Sequence, residues 1–248
     1  MEAGKPAYIW AVCVLTGRRQ IDVSFETVRA RFAAQTNIKN ARMVFVTSQG
    51  YLKDAEQTDV TRLIMFDRPQ TKLGELRNLA KTYVANEIIR DRGSHLICHW
   101  DESDIYYDDY LADIAKETTT DKLWMLQSAI HYDAITGYTC ARTVKTGLLS
   151  TLAYSPFSDF AFAPIVRNEF AHVQRQLEES PKRARDAHKL QLQLRDLPPT
   201  CLLRRYDGLN SESRTEFLNP PVRELTSAEL ESVRDRLLLD RERVQKFY

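Results

Sequence analysis

The chain has 248 residues, with 35 Lys and Arg against 34 Asp and Glu and a net charge of +1. That length buries a sizeable core as one α/β domain, or one domain with an appendage, and near-neutral charge gives no sign of a polyanionic partner, although DNA is not excluded. Hydrophobic residues at 43% and charged residues at 28% are those of a soluble globular protein.

Met1 to Pro6 lacks the apolar core of a signal peptide, and no run of about 18 apolar residues occurs, so no membrane segment is expected. Cys13, Cys98, Cys140 and Cys201 lie far apart with no Cys-x-x-Cys pair, which excludes a zinc or redox pair of that type. The expected location is the cytoplasm, with reduced thiols.

Tyr8 to Leu15 is a continuous apolar run that reads as a central parallel strand, closed by the turn Thr16-Gly17-Arg18-Arg19. A helix is expected from Ser24 to Gln35, with Phe25, Val28 and Phe32 on one face. Arg42 to Thr47 and Arg62 to Phe66 are further strands, and the order argues for an α/β sheet. Leu73 to Asp91 is the clearest helix, striped by Leu76, Leu79, Ala80, Tyr83, Val84 and Ile88. Gly74, Arg77 and Asn78 sit near its start, where a helix N-terminus and a cation suit a phosphate. Gly93 ends it, and His95 to Trp100 is a buried strand.

Asp101, Glu102 and Asp104 follow directly. Carboxylates crowded at a strand exit repel one another, and a hard cation such as Mg²⁺ or Mn²⁺ is the usual compensation. A solvated turn capping the next helix is the alternative. Tyr107 to Lys116 reads as that helix, and Leu123 to Ile130 as a strand leading through His131 to a turn at Thr136-Gly137-Tyr138. Thr146 to Pro164 reads as a packed loop, and a helix runs from Arg167 to Glu179. Ser180 to Ala187 is a charged exposed segment, and Thr200 to Tyr206 is a late strand. After Pro220-Pro221, Thr226-Ser227-Ala228-Glu229 is a capping box for a helix reaching Phe247, with Leu230, Val233, Leu237, Leu238 and Val244 on one side. That helix either packs on its own domain or forms a homodimer.

Four segments, in order, resemble the family-2-type glycosyltransferases. They are Leu15-Thr16-Gly17-Arg18 with Phe32-Ala33-Ala34-Gln35-Thr36, then Gly74-Glu75-Leu76-Arg77-Asn78, then Ile97-Cys98-His99-Trp100-Asp101-Glu102-Ser103-Asp104-Ile105-Tyr106, and Gly208 with Asn210-Ser211. The resemblance implies an α/β fold, a GT-A (Rossmann-like) mixed sheet flanked by helices, over residues 1–219, with a C-terminal helical extension at 220–248. It implies transfer of a sugar from a UDP- or GDP-sugar to an acceptor hydroxyl. Thr16, Gly17, Arg18, Thr47, Arg77, Asn78, Trp100, Asp101 and Glu102 would bind the donor, and Asp101 and Asp104 the metal. Glu169 would be the base of an inverting displacement, with Asp159 in reserve. Ser103 stands where the family often has a metal ligand, Thr47-Ser48 where it has a base-binding acid, and Asp207 where it has His. A metal-dependent nucleotidyltransferase and a degenerate binding module are the alternatives. The acceptor stays open among a glycan, a lipid-linked sugar, a protein and a hydroxymethylated DNA base.

Overall fold

A computed structural model describes residues 6–15, 21–47, 61–65, 72–90, 93–121, 123–143, 151–158, 161–162, 192–195, 202–207 and 222–245. In chain order these form β1 (Tyr8–Leu15), α1 (Ile21–Ala33), β2 (Ala41–Thr47), β3 (Thr61–Met65), α2 (Leu73–Glu87), β4 (His95–Trp100) and β5 (Ile105–Tyr106). Then come α3 (Tyr110–Glu117), β6 (Leu123–Leu126), β7 (Ser128–Asp133), β8 (Thr139–Thr143), β9 (Ala153–Tyr154), β10 (Leu192–Arg195), β11 (Leu202–Tyr206), β12 (Val222–Arg223) and α4 (Ser227–Val244).

The larger sheet has seven strands in the order β10-β6-β9-β4-β1-β2-β3. Every pairing that excludes β9 is parallel, and β9 is antiparallel to both its neighbours. β1 explains why the sheet is covered on both sides. Its odd-numbered residues Ile9, Ala11, Cys13 and Leu15 pack with Phe25, Val28 and Phe32 of α1 and with Tyr110, Leu111 and Ile114 of α3. Its even-numbered Trp10 and Val12 pack with Leu76, Ala80 and Val84 of α2. An unbroken apolar run suits a strand buried on both faces, because neither face alternates to polar. The α2 stripe recurs every four residues, and each buried Leu, Val or Ile adds about 1.5–3 kcal/mol.

The second sheet has five strands in the order β12-β8-β7-β11-β5. α4 covers it, packing Val233 and Leu237 against Ile105, Ile130, Leu203 and Tyr132. Arg236 and Arg243 of α4 both bond the Asp108 carboxylate, at 2.7 Å and 2.8 Å, and Arg236 lies over the Tyr107 ring at 4.3 Å. The inner stripe of α4 is thus occupied within the chain, while Leu230 and Leu238 stay exposed. No described helix is long and apolar enough to cross a membrane.

Several elements differ from expectation. α1 begins at Ile21, three residues early. The helix expected from Tyr107 begins at Tyr110, and just before it Ile105 and Tyr106 pair with Leu203 and Leu202. The single strand expected over Leu123–Ile130 is two strands that break at Gln127 and enter different sheets. Leu123–Leu126 is buried on both faces, whereas β7 enters the outer sheet, and a continuous apolar pattern conceals that change of neighbours. The expected loop over Thr146–Pro164 contains β9, a two-residue strand inserted between β4 and β6. The helix expected over Arg167–Glu179 lies outside the described residues.

Candidate functional site

From β1 the chain builds outward through β2 and β3, then returns to place β4 on the other side of β1. The crevice at such a reversal, beyond the carboxyl ends of the strands, is where open α/β sheets bind ligands. Trp100 ends β4 there, and Asp101 to Asp104 form the link to β5. The acidic segment therefore occupies the position that topology marks for a ligand.

The link is tightly constrained. The Asp101 N–H donates to the Tyr106 hydroxyl at 2.7 Å. Ser103 donates to Asp101 Oδ1 from its backbone N–H at 2.9 Å and from its hydroxyl at 2.5 Å. Asp101 is half-buried, and its Oδ2 has no hydrogen-bond partner among the described residues. Trp100 below it is only 2% exposed. Its ring meets Tyr106 at 3.9 Å between centroids, with Phe32 and Tyr110 edge-on at 6.1 Å. Trp100 is thus packed among aromatic rings at the start of the link.

Arg77 approaches from α2. Burial pulls its guanidinium down to about 10, while the nearby charges of Asp101 and then Tyr154 act the other way. It remains cationic at neutral pH. Its guanidinium lies 5.6 Å from the centroid of the Phe162 ring. Asn78 fixes that ring's backbone at both polar groups, donating to the Phe162 carbonyl at 2.8 Å and accepting its N–H at 2.7 Å. Asn78 thus places the platform on which Arg77 rests. His99 Nε2 is 3.3 Å from the Tyr154 hydroxyl, and both rings pack on Phe162. Burial raises the Tyr154 phenol further above its ordinary value.

Asp104 is 1% exposed, and its Oδ2 faces Arg204 Nε of β11 at 3.8 Å. Arg31 of α1 reaches the loop backbone, donating from Nη1 to the carbonyls of Glu102 at 3.3 Å and Asp104 at 3.2 Å. The same guanidinium forms a two-point pair with Asp240 of α4, Nε to Oδ1 at 2.7 Å and Nη2 to Oδ2 at 2.8 Å. Cys13 lies below; burial, then Glu102 and Asp101, keep its thiol protonated well above the ordinary range.

The structure brings together Arg77, Asn78, Trp100, Asp101, Glu102 and Asp104, with Thr47 buried at the carboxyl end of β2. Thr16, Gly17, Arg18, Asp159 and Glu169 lie outside the described residues. Arg31, Arg204 and Asp240 join the site without belonging to any motif, and Tyr106 joins it from the end of the acidic-box segment. A signal for two of them is present in the sequence: Arg31 lies three residues after Val28 on the buried stripe of α1, and Asp240 lies between Leu237 and Val244 on that of α4. A charge on an apolar stripe requires a partner.

The donor set fits a divalent cation in one limited way. Among the described residues no three His, Cys, Asp or Glu side chains gather as a metal cage. Mg²⁺ needs none, since it commonly uses one or two carboxylates together with substrate phosphates. Asp101, with Oδ2 open, suits that mode; Asp104 faces a guanidinium.

A separate groove of about 880 Å³ lies between α4 and the second sheet, starting at Ile105 beside the acidic link. Tyr132, Arg205, Leu230, Arg234 and Arg241 are among its walls, and Asp240 is the single carboxylate among the described residues that line it.

No family model matches the chain, and no curated protein does. Solved structures do. GalNAc-T7 with UDP, GalNAc and Mn²⁺ aligns at 13% identity and a TM-score of 0.50, over 80% of this chain but only 44% of the other. This chain therefore spans less than half of that protein. TarS residues 1–349 of S. aureus align at 11% identity and a TM-score of 0.51, over 94% of this chain and 71% of the other. 4-Diphosphocytidyl-2C-methyl-D-erythritol synthase aligns at 13% identity over 94% of this chain and 99% of the other, at a TM-score of only 0.42. At these identities the likeness is one of fold: the chain has a GT-A-like, Rossmann-type architecture, and membership of family 2 is not part of that likeness.

Proposed function

We propose that this chain is a glycosyltransferase that moves a sugar from a UDP- or GDP-sugar to an acceptor hydroxyl. The observation that carries the reading is the acidic link at the strand reversal, with the cationic Arg77 set beside Asp101. The fold likeness to two structures of the same architecture supports it.

In this reading the donor lies along the carboxyl ends of β1, β2 and β4. Thr16, Gly17, Arg18 and Thr47 contact the nucleoside, and Arg77 meets the diphosphate. Asp101, with Asp104 and Glu102 in the same link, would hold Mg²⁺ or Mn²⁺. The ion, when bound, offsets charge on the departing diphosphate. Glu169, or Asp159 in its place, takes the acceptor proton as the hydroxyl attacks, giving inversion without a covalent sugar intermediate. The acceptor enters by the groove under α4, where Arg234 and Arg241 favour an anionic one.

Thermal stabilisation by a panel of nucleotides and nucleotide sugars, with and without Mn²⁺, tests the donor site. A ligand at 100 times its Kd adds about 2.7 kcal/mol, or about 5–11 °C for a chain of this size. The expected result is a shift with one nucleoside diphosphate and its sugar that Asp101→Ala removes. No shift with any of them overturns the reading in favour of a binding module of another kind.

A further inference from the structure

α4 is the last described element and lies far in sequence from every proposed donor residue, yet it reaches the acidic link through one side chain. We propose that Asp240 and Arg31 form a positioning relay by which α4 sets the donor-binding shape of the Asp101–Asp104 link. The inference rests on the donor reading above and deepens it.

A guanidinium donates five N–H groups in fixed directions, and four of them are used here. Arg31 is 3% exposed and Asp240 6%, so neither group can turn to water. Nε and Nη2 bond the two Asp240 oxygens at 2.7 Å and 2.8 Å, which fixes the plane of the fork. With the fork's plane fixed, Nη1 is aimed at the link, where it meets the Glu102 and Asp104 carbonyls at 3.3 Å and 3.2 Å. Those two carbonyls bracket Ser103. Ser103 in turn holds Asp101 Oδ1 by two hydrogen bonds, which aims the remaining carboxylate oxygen. A continuous path of contacts thus runs from α4 through Arg31 and the link backbone to Asp101.

Salt bridges of lesser burial complete the attachment of α4. Asp108, just beyond the link, holds Arg236 and Arg243. The relay differs from these in touching the backbone of the link itself. Asp240 also lines the groove under α4, so the wall of the groove and the clamp on the link share one residue. A ligand seated in the groove therefore presses on the group that sets the donor loop, and coupling between two ligands is reciprocal.

Removing one member of a buried pair leaves the other charge stranded, and such a variant can simply unfold. The test therefore uses substitutions that separate stability from position. In Arg31→Met/Asp240→Leu the pair becomes apolar at similar volume, and packing is kept. In Arg31→Lys the charge opposite Asp240 stays but the planar fork is lost. Calorimetric titration with the nucleoside diphosphate that stabilises the wild type gives Kd, and thermal melting gives stability. The expected result is a double variant that melts near the wild type and binds at least about tenfold more weakly, with Arg31→Lys moving in the same direction. Hydrogen exchange on Asp240→Asn is an independent readout: amides 101–104 exchange faster while those of β4 do not change. A folded double variant or Arg31→Lys that binds as tightly as the wild type overturns the relay, as does unchanged exchange at 101–104. A wild type that binds no nucleotide overturns the donor reading and the relay together, so the two failures are distinct.

Discussion

Tyr106→Phe tests the internal rigidity of the link with little other disturbance. Tyr106 is 1% exposed, and its ring stacks on Trp100 at 3.9 Å and Tyr110 at 4.7 Å. Phenylalanine keeps that ring and its contacts. What is lost is the hydroxyl that accepts the Asp101 N–H at 2.7 Å. An enclosed N–H left without an acceptor costs about 1–3 kcal/mol. Asp101 is half-buried, so partial hydration places the loss in the lower part of that range, about 1–2 kcal/mol. That corresponds to about 2–8 °C in Tm for a chain of this size. The N–H also sets the first peptide of the link, so donor affinity should fall together with stability. Urea unfolding and nucleotide titration on the same preparation measure both. A variant within about 0.5 kcal/mol of the wild type, the range of an ordinary surface change, and with unchanged affinity refutes the role assigned to this hydrogen bond.

Two further outcomes follow from the same contacts. Asn78→Ala removes both bonds to the Phe162 backbone, so the platform under Arg77 loosens; donor affinity is expected to fall several-fold with a stability loss of about 1–3 kcal/mol, checked by titration and urea unfolding. Acid should detach α4. Arg243 and then Arg236 hold the Asp108 carboxyl below its ordinary 3.8, and Arg223 and the Thr226 cap hold Glu229 at about 2 against an ordinary 4.5. A depressed folded value means stability that is complete above about pH 4.5 and lost as pH falls through the folded values. Urea midpoints measured from about pH 7 to about pH 2.5 should drop across that window, and Asp108→Asn should flatten the drop.

The β1–β4 half of the larger sheet is readable from sequence because its signals are local. Tyr8–Leu15, the Leu76–Ile88 stripe and the acidic run after His95–Trp100 each carry their periodicity within a few residues. The second sheet is readable only in part: Thr200 to Tyr206 is expected as a strand and contains β11, but its shortest members give no such signal. β5 and β12 are two residues each, and β9 is another two-residue strand held by partners on either side. Strands that short have no pattern of their own, and only pairing with distant segments makes them strands. The split at Gln127 is hidden for a similar reason, since both parts are apolar and only the identity of the neighbours changes. For the site, the residues with a motif were legible and those acting from afar were not. Arg31 and Asp240 are 209 positions apart, and each looks like an anomaly on an apolar stripe until the other is placed against it.

The charges around the link lead to a final expectation. Three acids lie within four residues, and arginines from three elements approach them: Arg77 from α2 near Asp101, Arg204 from β11 at Asp104, and Arg31 from α1 at the backbone between. These contacts are wholly or partly enclosed, where salt screens weakly. Arg234 and Arg241, by contrast, are exposed along the groove, and neither has an ion-pair partner among the described residues. Screening shortens from about 10 Å at 0.1 M salt to about 3 Å at 1 M, so the two sites should separate by ionic strength. Donor affinity is expected to change less than about threefold between those salts, whereas an anionic acceptor should weaken by an order of magnitude or more. Arg234→Glu/Arg241→Glu should reproduce the acceptor effect at low salt and leave donor Kd unchanged. A donor site as salt-sensitive as the groove would refute the enclosure of the link, because its acids would then be hydrated and screened like those of an open surface.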